Sequence, residues 1–429
     1  MSSTLELDRA HVFHSWSAQG NLHPLAVDHA EGVRVWLEDG RELLDFSSQL
    51  VNVNIGYSHP KVVAAIQEQA AKLATIAPGH AVRVRGEAAK RIVSHAPEGF
   101  NKVFFTNAGA DANENAIRMA RLFTGRDKIL SGYRSYHGNT GAAVVASGDW
   151  RRIPNEYARG HVHFYQPYLY RSEFYATSEQ EECERALHYL RRTIENEGPS
   201  AIAAILLETI PGTAGILVPP AGYLEGVRAL ADEFGIVLIL DEVMAGFGRT
   251  GDWFALDGFN VRPDLITFAK GVNSGYVPTG GVIISDPIAH HFDDTVFPGG
   301  LTYSGHPLAM AAVVANLDAF ESEGVVTNAK TIGDTVIGPR LAGLADKYPG
   351  LVGEVRGRGV FWAIELVANA DTREPLPAAT MATVKSRLLD AGLLPFIADN
   401  RIHVVPPCVI SAEDAALGID IIDQVLSTL

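Results

Sequence analysis

The sequence is short of cysteine: two residues in 429, Cys183 and Cys408, with no CxxC pair. That excludes a fold held by a framework of bridges and fits a reducing compartment. Positive charge is scarce as well, with 35 Lys and Arg against 50 Asp and Glu for a net charge of −15. Non-specific binding to nucleic acid or to an anionic membrane surface is thereby disfavoured, although a local basic pocket is not. Long apolar runs are missing. The most apolar stretches, such as "GIVLIL" at 235–240, are far too short to span a bilayer. The opening "MSSTLELDRAHVFHSW" has no basic segment followed by an apolar core, so no signal peptide is expected and a cytoplasmic protein is. No strand runs into a GxGxxG turn, which removes the main support for a nicotinamide dehydrogenase. There is no HExxH, and "HHFDD" at 290–294 lacks a partner set, so no metal site is expected.

What is present is an alternation. Short apolar runs at 102–106, 128–132, 201–208, 235–242, 264–268 and 280–285 read as strands. Amphipathic stretches at 111–123, 178–198 and 219–235 read as helices between them. Strand and helix in alternation predict βαβ units and a mostly parallel sheet covered on both faces. The segment 32–48 reads as a hairpin around Asp39-Gly40. From about residue 322 the texture becomes that of a smaller α+β unit. The expected organisation is therefore a large domain, 56–322, inserted in a small one formed by 1–55 and 323–429.

Four features sit where such strands end. "NAGADANENAIRMAR" (107–121) passes from a strand through a small-residue turn into a helix. Free N–H groups at that helix start, with Gly109 allowing close approach, can hold phosphate, or the stretch is a plain turn. Tyr136 lies in a glycine-rich loop, where it can stack on a planar ring or simply pack. Asp241 ends the very apolar "IVLIL", where a buried carboxylate needs a cation or strong donors; otherwise it is a cap. Lys270 follows "DLITFA", and there it is either an amine nucleophile of lowered pKa or a snorkelling lysine. Together they match the needs of pyridoxal phosphate: an anion cradle, a stacking face, a partner for the pyridinium nitrogen and an amine.

The wording and order of "NAGADANENAIRMAR", "YHG", "LLETIPGTAG", "LILDEVMAGFGRTGDWFA", "PDLITFAKG" and "TYSGHPLAMAA" resemble the class III, or omega-type, pyridoxal-phosphate aminotransferases from about residue 20 to the C-terminus. The resemblance implies an α/β fold of the fold-type I transferases, with a mostly parallel seven-stranded sheet and a smaller discontinuous α+β domain. It implies that Lys270 bonds covalently to pyridoxal 5′-phosphate, that Asp241 keeps the pyridine nitrogen protonated, and that Tyr136 and Val243 enclose the ring. Gly109 and Ala110 would give N–H groups to the phosphate, and Thr302 would reach the phosphate of a neighbouring subunit. The implied assembly is a homodimer or a dimer of dimers. Glu208 matches the family's acidic position beside the cofactor, where it orients the site and can hold an arginine aside; His137 takes a hydrogen-bonding structural role.

The implied reaction is ping-pong transfer of an amino group from an omega-amino acid or amine to a keto acid. Departures shape the expected substrate wall. Met244 replaces the glutamine that many glutamate-dependent members carry after "DEV", and Val51 stands where an aromatic is common. His403 occupies the usual place of the carboxylate-binding arginine, with Arg401 two residues earlier as the candidate grip for a carboxylate or sulfonate. The pattern is most like the taurine–pyruvate and beta-alanine–pyruvate branch, with pyruvate as the expected acceptor. An alternative on the same fold is a lyase acting on an amino alcohol phosphate such as phosphoethanolamine. Such a lyase should show additional basic residues near the donor pocket, and Arg83 or Arg85 can be read that way, although that segment reads more simply as a helix start with solvated arginines.

Overall fold

The N-terminal meander follows the pattern read from residues 32–48. In the computed structural model, which describes residues 3–156 and 158–429, β1 (Val27–Glu31), β2 (Arg34–Leu37) and β3 (Glu42–Asp45) pair antiparallel. The turn between β2 and β3 places Gly40 at φ +87°, a conformation that costs other residues.

The central sheet has seven strands: β4 (Phe100–Thr106), β5 (Lys128–Gly132), β6 (His161–Phe164), β7 (Ile202–Glu208), β8 (Val237–Asp241), β9 (Leu265–Phe268) and β10 (Gly280–Ser285). Their spatial order is β4-β10-β9-β8-β7-β5-β6. Only β10 runs against its neighbours, so the sheet is mostly parallel as expected. Six strands were foreseeable from apolar runs. The edge strand β6 was not, because "HVHF" carries two histidines where an apolar run was sought.

Alternation along the strands decides the two faces. Ala204, Leu206, Val237, Ile239 and Leu265 pack with Ala112, Ala116, Ile117 and Ala120 of the helix Gly109–Thr124. Ile205, Leu207, Leu238, Leu240 and Ile266 face the opposite layer. Small residues on the helix let it lie close to the sheet. Each large aliphatic side chain buried there contributes about 1.5–3 kcal/mol.

A third sheet follows: β11 (Val352–Arg358), β12 (Phe361–Asn369), β13 (Glu374–Pro375), then β15 (Phe396–Ala398) and β16 (Arg401–Val404). The strand between them in sequence, β14 (Leu393–Leu394), leaves that sheet and pairs in parallel with β3. Residues near the two ends of the chain thus share one sheet. Among the described residues, no helix is long and apolar enough to cross a membrane.

Candidate active site

The helix-facing columns of three neighbouring strands end in polar residues. Following Leu206, Ile239 and Leu265 by two positions come Glu208, Asp241 and Thr267, and the sheet register sets Glu208 opposite Asp241 and Asp241 opposite Thr267. All three are buried. A row of polar groups at the carboxyl ends of parallel strands is where an α/β sheet places its ligand.

Three nitrogens face the Asp241 carboxylate. Its Oδ1 accepts the Val243 N–H at 3.0 Å. Its Oδ2 accepts the Asn113 amide at 2.7 Å and lies 2.8 Å from His137 Nδ1. The other contacts to this carboxylate are N–H groups, and a hydrogen on His137 Nδ1 completes the set of donors. Glu208 accepts the backbone N–H of Tyr136 at 3.1 Å and of Gly212 at 2.8 Å. Burial pushes its carboxyl pKa up.

Lys270 opens a short turn after β9 and takes φ +48°, which a non-glycine residue adopts only where its surroundings impose it. Burial lowers its ammonium pKa, against the opposing pull of Asp241 and Glu208. A lysine so placed is a nucleophilic amine nearer neutrality than a surface one.

A cavity of about 480 Å³ gathers Gly109, Ala110, Tyr136, His137, Asp241, Val243 and Lys270. The helix Gly109–Thr124 starts there without a side-chain cap, leaving its first N–H groups to a ligand. A Cβ on Gly109 would come 2.8 Å from Val243 Cγ1, so glycine is what permits the helix start and Val243 to share the wall. An anion cradle, an aromatic, a carboxylate and an amine are the groups that a phosphorylated pyridine aldehyde calls for.

A second cavity, about 510 Å³, adjoins the first at Tyr136, Thr213, Met244 and Lys270. Its wall includes Arg151 and Arg401. Arg151 pairs with Asp149 and lies over the Tyr136 ring, 3.7 Å from its centroid. Arg401 pairs with the exposed Asp399 at 2.5 Å, and its Nε finds no partner among the described residues. Arg151 was missed in the sequence; the "GDWRR" that follows the tyrosine loop was the available signal.

Two expected wall residues need correction. Val51 is buried beside Ile210, Met244 and Val405, and Leu50 and Asn52 face the cavities instead. The cause is a left-handed turn: Ser48, Gln49, Leu50 and Val51 all have φ between +44° and +63°. His403 is fully buried behind Phe396 and lines neither cavity, and burial lowers its pKa to about 3. Thr302 lies in an exposed turn outside both cavities of its own chain. Arg83 is exposed and pairs with Glu87, whereas Arg85 is tied to the carbonyls of Gly305, Pro78 and His80; neither lines a cavity.

The family described as aminotransferase class-III matches residues 16–426. The chain is 33% identical over 403 residues to the taurine–pyruvate aminotransferase of Bilophila wadsworthia, covering 90% of this chain and 87% of that one. It is 35% identical over 419 residues to the 4-aminobutyrate aminotransferase GabT of Escherichia coli, covering 94% of each. Among solved structures, taurine:2-oxoglutarate aminotransferase from Bifidobacterium kashiwanohense, in complex with PLP and glutamate, is 43% identical with a TM-score of 0.95, covering 98% of this chain and 96% of that one.

Proposed function

The chain belongs to the class III aminotransferases, and we propose that it moves an amino group from an omega-amino acid or amine of the taurine, beta-alanine or 4-aminobutyrate type to a keto acid, pyruvate foremost, in a ping-pong cycle. The carrying observation is that Arg151 and Arg401 line the same cavity as Lys270 in a protein of net charge −15. A donor with its amine at Lys270 has an anionic far end to place, and guanidinium groups are suited to carboxylate and sulfonate.

Bound pyridoxal 5′-phosphate supplies the electron sink that makes the donor's α-proton acidic. Lys270 holds the cofactor and then carries the proton to and from the donor's carbon. Asp241 keeps the proton on the ring nitrogen. Tyr136 and Val243 enclose the ring, and Gly109 and Ala110 give N–H groups to the phosphate. Glu208 fixes the Tyr136 loop from behind through its backbone N–H, and Arg401 grips the acceptor carboxylate. The lyase reading loses Arg83 and Arg85, which lie away from both cavities, and the arginines that do line the Lys270 cavity leave the donor panel to decide between a phosphate and a carboxylate or sulfonate.

We read the assembly as a homodimer whose Thr302 serves the neighbouring subunit's phosphate, supported by the exposed turn that carries it. Residues 1–55 and 323–429 read as one small domain around 56–322, supported by the pairing of β3 with β14. The two unpaired, buried cysteines support a cytoplasmic setting.

The test is a donor panel of taurine, beta-alanine, 4-aminobutyrate, a neutral amine and phosphoethanolamine, with pyruvate, with 2-oxoglutarate and with no acceptor. Alanine formation that needs pyruvate and favours anionic donors is expected. Phosphate release from phosphoethanolamine without a keto acid would overturn the assignment.

A further inference from the structure

Asn113 and Thr267 are buried polar residues to which the proposed reaction gives no role; Asn113 lines the cavity that holds Lys270 and Asp241, and Thr267 lies behind it. Thr267 is fully buried and Asn113 is 1% exposed. Thr267 Oγ1 donates to Asn113 Oδ1 at 2.7 Å. Asn113 Nδ2 spends its two hydrogens on the His137 carbonyl at 2.8 Å and on Asp241 Oδ2 at 2.7 Å.

The direction of this chain is fixed by its far end. Turning the Asn113 amide over would set its oxygen against a carbonyl and a carboxylate, both acceptors, so the nitrogen must face them. The amide oxygen then faces Thr267, whose single hydroxyl hydrogen is committed to it. Hydrogens therefore point one way, from Thr267 through Asn113 to Asp241. His137 Nδ1 adds a second donor to the same oxygen. Oδ2 thus has two donors, while Oδ1 takes only the Val243 N–H and keeps a lone pair free on a side chain that lines the cavity.

We propose that Asn113 and Thr267 are positioning residues that fix the Asp241 carboxylate as an acceptor and turn its Oδ1 to the ring nitrogen of the cofactor. The sheet register makes the arrangement possible, since Thr267 stands opposite Asp241 on β9 and both face the helix that carries Asn113. Charge-assisted bonds of this kind are roughly twice as strong as neutral ones, and in a buried chain each polarises the next. Without the Asn113 donor the charge on Asp241 loses a partner, and the proton shared with the ring nitrogen would lie nearer the carboxylate. The inference rests on the assignment of Asp241 and Lys270 above.

The experiment uses holoenzyme carrying cofactor labelled with nitrogen-15 at the ring. Three variants are compared with the parent: Asn113→Leu, which keeps the shape and removes the donor; Thr267→Val; and Thr267→Ser, which restores the hydroxyl. In Asn113→Leu the ring-nitrogen resonance is expected to move toward the unprotonated position. The pH midpoint of the bound cofactor's visible absorption should rise by about one unit. Thr267→Val should move both in the same direction by less, and Thr267→Ser should return them. An unchanged resonance and midpoint in Asn113→Leu, with only stability or turnover reduced, would show packing alone and overturn the proposal. If Asn113→Leu does not fold, an unchanged resonance in Thr267→Val does the same. Should the parent itself show no ring-nitrogen proton, or Lys270→Ala keep a borohydride-fixed cofactor, the underlying assignment fails instead.

Discussion

At the scale of single residues, the chemistry was legible wherever an apolar column ended in a charge. Lys270 and Asp241 each close a buried strand run, and such an ending is costly unless the charge is used. Lys270→Ala should therefore bind cofactor without fixing it: borohydride treatment and peptide mass mapping should find no cofactor adduct, where the parent carries one at Lys270. The arginines divide by substrate. Arg401→Ala is expected to raise the KM for pyruvate at least about tenfold, the loss of a charged bidentate contact, with a neutral amine donor little affected. Arg151→Ala should act the other way, weakening taurine or beta-alanine while sparing pyruvate, and steady-state kinetics on both half-reactions separates the two. Arg151 was not legible because it stands outside any strand end; its place depends on Asp149, which accepts from its backbone and its guanidinium. Glu242, one residue past Asp241, faces the other layer and accepts from Thr209, Ala255 and Leu256. Burial nonetheless raises its pKa to about 7. The folded state then binds its proton more tightly than the unfolded chain, so stability is greatest below the ordinary carboxyl pKa and falls as pH rises toward 7. Glu242→Gln should flatten that decline, by up to about 3 kcal/mol, in urea unfolding measured from pH 4.5 to pH 8.

At the scale of elements, the helix Gly109–Thr124 was read within two residues at its start because its small residues recur at helical spacing. The turn Ser48–Val51 defeated the same reasoning. Nothing in "SSQLV" announces a left-handed turn, and one element of unexpected hand sent Val51 to the core and Leu50 to the wall. Its support comes from Asp45, buried at the end of β3. One oxygen accepts Ser47 N–H, Ser47 Oγ–H and Ser48 N–H, and the other accepts the Tyr57 hydroxyl at 2.6 Å. Asp45→Ala leaves those buried donors unpaired and releases a turn that costs about 1–2 kcal/mol per left-handed residue. The expected loss is about 3 kcal/mol in chemical unfolding, together with a changed donor profile as Leu50 leaves the wall. A variant that loses stability but keeps the parent's donor ranking would separate the turn from the wall. The strand β6 shows the complementary limit: an edge strand with polar alternation gives no apolar run to find.

At the scale of the whole molecule, the sheet shared by β3 and β14 brings together residues some 350 positions apart, a long-range pairing that periodicity alone does not announce. A larger question is which chain completes each site. Thr302 lies in an exposed turn, outside the cavity that holds Lys270 of its own chain. If each phosphate is held by the partner's Thr302, the two residues can be complemented between subunits. Lys270→Ala protein lacks the amine, and Thr302→Ala protein lacks the cross-subunit hydroxyl. A hybrid dimer of the two contains one doubly defective site and one site with both residues intact. Random reassortment makes about half of the dimers hybrid, so about a quarter of all sites should recover parental cofactor affinity and turnover. Native mass spectrometry gives the hybrid fraction, and activity at limiting cofactor gives the count of restored sites. If Thr302 instead acted within its own chain, every site in the mixture would keep one defect, and no dimer would exceed the activity of Thr302→Ala alone. The dependence of recovered activity on hybrid fraction therefore decides between the two arrangements, independently of which amine the enzyme prefers.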